Sequence, residues 1–180
     1  LGVRVYPPLT YYFLSLCRFL TTNWFDAGWL FFVLLFFISG LGVYFWARQW
    51  FSHNAALAGA ISYILVPYHY NQVYQGSLLA EFTAAALIPF CFWFITRVCR
   101  SGKLIDVLGL GLFFGLLVLS HLPTLIMVSF VFTFYGLFSL EKHTYLKTLL
   151  KLGISVFTGI LLSSFYWMRM INEMSFVNHN

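Results

Sequence analysis

Long apolar runs separated by short polar loops make up this chain, and the loops are of two kinds. One kind is basic. The other carries aromatics, prolines, histidines and a glutamate, with almost no positive charge. A helix crosses the hydrocarbon core of a bilayer with about 20 apolar residues, and several runs reach that length. Only 8% of the residues are charged, and the mean hydropathy is +0.86. A soluble domain needs about 25%. The sequence therefore predicts an all-α, polytopic transmembrane helical bundle.

The apolar runs place a short, interfacial or partly re-entrant helix after Pro7-Pro8, since proline starts helices but does not sit inside them. About six spans follow, each long enough to approach the bilayer thickness. They run from about Ala27 to Ala47, Asn54 to Pro67, Leu78 to Ile95 and Leu104 to Leu119, then from beyond Thr124 to Leu140 and from Leu149 to Met168. Trp46, Arg48 and Trp50 close the first as interface anchors. The second is rich in small residues, which allow close helix packing. Tyr68 to Ser77 reads as a polar, aromatic connection, and Pro89 as a bend. Ser120 to Thr124 reads as a five-residue turn.

Loop charge orients such a bundle. The loops after the first, third and fifth spans hold Arg48, Arg97, Arg100, Lys103, Lys142, Lys147 and Lys151. The opposite side holds Arg4, Arg18 and Arg169. Seven cations against three place the first group in the cytoplasm of a multi-pass inner-membrane protein. The net charge of +5 is thus spread over loops, where it fits topology control and anionic lipid headgroups rather than nucleic acid. Cys17, Cys91 and Cys99 have no metal-ligand spacing and read as unpaired thiols, with Cys99 in a basic loop.

Any chemistry then belongs to the extracytoplasmic side. Glu81, at the start of the third span, is either a first-turn carboxylate favoured by the helix dipole or a cavity carboxylate for a headgroup, metal ion or sugar hydroxyl. His69 is either an interfacial aromatic or a donor to phosphate, and His121 carries the same alternatives. Tyr70 and Tyr74 serve the aromatic belt or flank a sugar or isoprenoid chain. Arg169 and Glu173, four apart, pair with each other. No zinc-protease, paired-cysteine, phosphate-loop, dinucleotide or nucleophile-elbow motif is present, so no cofactor is identified.

One ordered set of motifs carries a family resemblance. Tyr6-Pro7-Pro8-Leu9 precedes a short helix, and Ala58 through His69 leads into Tyr74-Gln75-Gly76-Ser77-Leu78-Leu79-Ala80-Glu81-Phe82. Ser120-His121-Leu122-Pro123 and Phe165-Tyr166-Trp167 follow. Together they resemble the polytopic membrane proteins called 6-pyruvoyl-tetrahydropterin synthase-related. Soluble pterin synthases use a histidine triad on zinc, which nothing here supplies.

That family is similar in plan to the GT-C membrane glycosyltransferases, which use polyprenyl-phosphate-linked sugars. The likeness implies transfer of a sugar to a cell-envelope acceptor on the extracytoplasmic face, with Glu81 and His121 as matching site candidates. It also implies an acid before the Pro-Pro segment, acting as base or holding a divalent metal in the full-length protein. That segment would precede Leu1, and Asp26 lies on the wrong side of Pro7-Pro8 to replace it. Gln75 stands where relatives tend to have arginine. The ends at Leu1 and Asn180 read as cuts through a longer protein carrying this single transmembrane domain. A non-enzymatic lipid or glycan transporter, or an accessory subunit, is the alternative reading.

Overall fold

The computed structural model describes residues 6–74, 78–140 and 144–177, with side chains as far as Glu173. Every regular element among them is a helix. The chain enters through Pro8, whose missing N–H costs nothing at a helix start, into α1 (Leu9–Phe19). Helix α2 (Trp24–Ala47) starts on a reciprocal cap. Asn23 Oδ1 accepts from the Asp26 N–H at 2.9 Å, and Asn23 Nδ2 donates to Asp26 Oδ2 at 2.7 Å. Asp26 is thereby spent on its own helix end.

Helices α3 (His53–Ile64) and α4 (Pro67–Tyr74) follow, then α5 (Leu79–Arg100) and α6 (Leu104–Val118). The chain finishes with α7 (Leu122–Phe138), α8 (Tyr145–Leu162) and α9 (Ser164–Val177). Helix α5 is the axis of the bundle. It packs on α1, α2, α4, α6, α7 and α8, and most of its length is buried. Two close approaches fix its neighbours. A Cβ on Gly42 of α2 would come within 2.8 Å of the Phe90 ring of α5. A Cβ on Gly159 of α8 would meet the Gly111 carbonyl of α6 at 2.8 Å, so these two helices touch backbone to backbone.

Helices α2, α5 and α8 are long and apolar enough to cross a membrane, while α6 and α7 are apolar but shorter. Several expectations change with the structure. The second expected span is two pieces: α3 has 12 residues, and Pro67 opens the separate helix α4 where a connection was expected. Gln75 to Ser77 lie outside the described residues, as do Arg4 and Lys142. Helix α5 runs on to Arg100, which puts Cys99 in a buried helical position. All three cysteines are free and buried.

Helix α7 already begins at Leu122, so the expected Ser120–Thr124 turn is shorter. The sixth expected span is interrupted at Ser163. Its hydroxyl takes the Gly159 carbonyl at 3.0 Å, and Trp167 Nε1 takes that of Ile160 at 2.9 Å. The Gly159 carbonyl also takes the Ser163 N–H at 3.2 Å, which closes α8, and α9 starts afresh at Ser164.

Contacts across the chain sort the loops into two ends, as the charge pattern predicts. At one end Arg100 Nη1 donates to the Gln49 carbonyl at 2.9 Å, and Lys151 Nζ to the Gly102 carbonyl at 2.7 Å. At the other, the Leu9 N–H donates to the Leu119 carbonyl at 2.9 Å, and the Thr10 hydroxyl to that of Thr83 at 3.2 Å.

Candidate functional site

The less basic end is built around α4. Pro67 presets the helical φ of its first turn, and α4 then lies against the start of α5. Leu78 N–H donates to the Gln72 carbonyl at 3.0 Å, tying the start of α5 to α4. Glu81 falls in the first turn of α5, where the dipole favours a carboxylate. It also reaches across to α4, for the Tyr68 hydroxyl donates to Glu81 Oε1. That hydrogen bond is the main cause that raises the Tyr68 phenol above its ordinary value. Glu81 is thus both a first-turn carboxylate and a partner in a polar cluster.

His69 and Gln72, three apart on α4, turn onto the same buried face. The rings of Tyr63, Phe82 and Phe36 surround His69, with centroids at 4.8, 5.6 and 6.4 Å. Burial holds its imidazole below the ordinary range, with the Gln72 hydrogen bond opposing. His69 Nδ1 sits 3.4 Å from Gln72 Oε1. A carbonyl oxygen accepts, so Nδ1 carries the hydrogen and Nε2 is a bare acceptor. Neither His69 Nε2 nor Gln72 Nε2 closes a hydrogen bond of full geometry, although Gln72 acts on the Tyr68 hydroxyl and lowers it. An unmet buried polar atom costs about 1–3 kcal/mol. The cluster therefore offers an acceptor and a donor on neighbouring side chains. A hydroxyl, which both donates and accepts, complements that pair.

Beside it lies an apolar groove of about 400 Å³ between α2 and α4. Trp24, Trp29, Phe32 and Phe36 form one wall, and Tyr70, Val73 and Tyr74 the other. Phe36 belongs to both features. Its ring faces His69 on one side and stands 5.7 Å from the Tyr70 ring on the other.

Of the residues expected in the site, His69 sits in the buried part of the cluster, Glu81 stands at its more exposed edge with Tyr68, and Tyr70 and Tyr74 line the groove. His121 sits apart, just before α7, with Nδ1 2.7 Å from the Thr124 hydroxyl. It reaches the same end through the Leu9–Leu119 link, but among the described residues no hydrogen bond joins it to Glu81 or His69. Arg169 and Glu173 do pair, at 3.0 Å. Gln72, Tyr63 and Phe36 were not singled out by the sequence. The i, i+3 spacing of His69 and Gln72 behind Pro67 is the signal that finds Gln72, once the segment is read as a helix. Among the described residues no three His, Cys, Asp or Glu side chains gather as a metal-ligand group.

Residues 3–178 match a family model described as the 6-pyruvoyl-tetrahydropterin synthase related domain, a membrane protein. No curated protein and no solved structure matches the chain.

Proposed function

The chain belongs to the 6-pyruvoyl-tetrahydropterin synthase related family of membrane proteins, and on that premise we propose that its less basic end binds a lipid-linked sugar. The observation that carries this reading is the shared wall at Phe36, with an apolar aromatic groove on one side and a buried hydroxyl-complementary cluster on the other. An amphiphile with an isoprenoid chain and a sugar head presents these two surfaces in the same order. Aromatic rings bury large apolar area and stack on sugar faces, which gives Tyr70 and Tyr74 their role. His69, Gln72 and Glu81 with Tyr68 would orient the head, and His121 would border the same end.

The activity proposed is GT-C-like transfer of the sugar to a cell-envelope acceptor, by a bundle of about six spans in the inner membrane. Its site end would face away from the cytoplasm, because the basic end takes the cytoplasmic side. The proton or metal work would fall to an acid outside these residues, as the GT-C likeness implies. A second reading, a lipid or glycan transporter or accessory subunit, is favoured by the groove's lining, which includes no carboxylate.

The test uses the full-length protein in nanodiscs with a polyprenyl-phosphate sugar. Tyr70→Ala with Tyr74→Ala should weaken binding at least tenfold while leaving insertion intact. Wild-type binding by this variant would sink the site. Binding without turnover selects the transporter reading.

A further inference from the structure

The opposite end of the bundle gathers the positive charge, and it is constructed rather than merely basic. Arg48, Arg97, Arg100, Lys103, Lys147 and Lys151 meet there against one described carboxylate, Asp106. Asp106 is fully buried and already satisfied, by Arg97 Nε and by the Ser101 hydroxyl, both at 2.5 Å. It therefore neutralises Arg97, and no other described carboxylate opposes the remaining cations.

Three of these cations belong to one turn: Arg100 and Lys103 flank Gly102 in sequence, and Lys151 reaches it from α8. Gly102 takes a φ of +55°, which a side chain rarely adopts, and this conformation presents its carbonyl to Lys151. A Cβ at this position would lie 2.4 Å from Lys151 Nζ, so the ammonium is packed directly over the turn. Lys151 spends one of its three N–H bonds on that carbonyl. Arg100, two residues before Gly102, lies over the Trp50 ring at 4.0 Å and spends one edge on the Gln49 carbonyl. Lys103, one residue after, is exposed and makes no ion pair among the described residues. None of the three makes an ion pair among the described residues, so each keeps donors for an anion. Trp50, exposed beneath Arg100, is a headgroup-level anchor of the kind found at bilayer interfaces.

We propose that the turn at Gly102 is a binding site for the phosphate diester of an anionic phospholipid, held by Arg100, Lys103 and Lys151. Charge complementarity selects the occupant. A zwitterionic lipid carries its own cation and gains little from three more, whereas an anionic lipid keeps its full negative charge. The site is independent of the sugar-binding reading and of which leaflet the basic end faces.

The experiment is a lipid titration of the intact protein by native mass spectrometry, comparing phosphatidylglycerol with phosphatidylcholine. Phosphatidylglycerol should bind in preference. Each neutralised cation should weaken it about fivefold, the equivalent of about 1 kcal/mol per charge near a membrane surface. R100Q/K103Q/K151Q should therefore lose on the order of a hundredfold. Lys103→Gln alone removes no protein contact, so its fivefold loss reads the site without disturbing the fold. Equal binding of the two lipids, or wild-type affinity in Lys103→Gln, would overturn the proposal. Displacement of phosphatidylglycerol by millimolar inorganic phosphate would also overturn it, by assigning the turn to a free anion.

Discussion

The two ends of the bundle each place a carboxylate in the first turn of a helix, Asp106 in α6 and Glu81 in α5, and surround it in opposite ways. Asp106 is sealed from solvent and held by a guanidinium and a hydroxyl. Glu81 is half-buried and held by a neutral phenol, beside two side chains whose polar atoms remain unmet. A carboxylate closed by a cation is committed to the fold. One held by a neutral group beside unmet atoms leaves interaction capacity unused, and that capacity is what a ligand requires. The difference separates a carboxylate that holds the bundle together from one proposed to face the sugar.

The largest test of that difference is Arg97→Gln. It leaves Asp106 with only Ser101, and removing one partner of a buried pair costs about 3–5 kcal/mol. Arg97 is about a third exposed, so the low end, about 3 kcal/mol, is expected. Thermal unfolding in detergent should show a larger loss than any single substitution at the less basic end produces. A melting temperature within a degree of wild type would mean that Asp106 does not carry the basic end.

At the other end Glu81→Gln keeps an acceptor for the Tyr68 hydroxyl, so stability should change by no more than about 1 kcal/mol. Sugar-donor binding in nanodiscs should nevertheless fall. A stability loss matching that of Arg97→Gln would erase the distinction between the two ends and return Glu81 to a structural role.

How much of this contrast was legible in sequence follows from what each end is made of. The basic end was readable because its cations are spaced by apolar runs of span length, and loop charge sorts those runs by side. Arg48, Arg100 and Lys151 fell into one group before any contact was known. The other end was legible in part. Glu81 stood out as an ionisable group at the edge of an apolar run, and Pro7-Pro8 marked the start of α1. Helix α4 was hidden because Pro67 to Tyr74 has neither an apolar run nor apolar periodicity, and tertiary packing on α5 makes it helical. The Tyr68–Glu81 bond joins residues 13 apart across the turn, and no local rule pairs them. The break at Ser163 was equally invisible, since a serine inside an apolar run reads as a small interhelical residue and neither proline nor glycine marks the end of α8.

The smallest effect is also the most specific to the less basic end. Burial holds the His69 imidazole below its ordinary value of about 6.5. The unfolded chain therefore takes up a proton at His69 before the folded chain does, and stability falls as pH drops below about 6.5. The loss continues until the folded imidazole itself protonates. The slope is at most about 1.4 kcal/mol per pH unit for one proton. His69→Gln should flatten this part of the profile between pH 7.5 and 5. The basic end supplies the control, because Arg97→Gln lowers the whole curve and leaves the His69 slope in place. An unchanged slope in His69→Gln would show that the imidazole is hydrated in the folded protein, and the bare Nε2 acceptor on which the hydroxyl site depends would be lost with it.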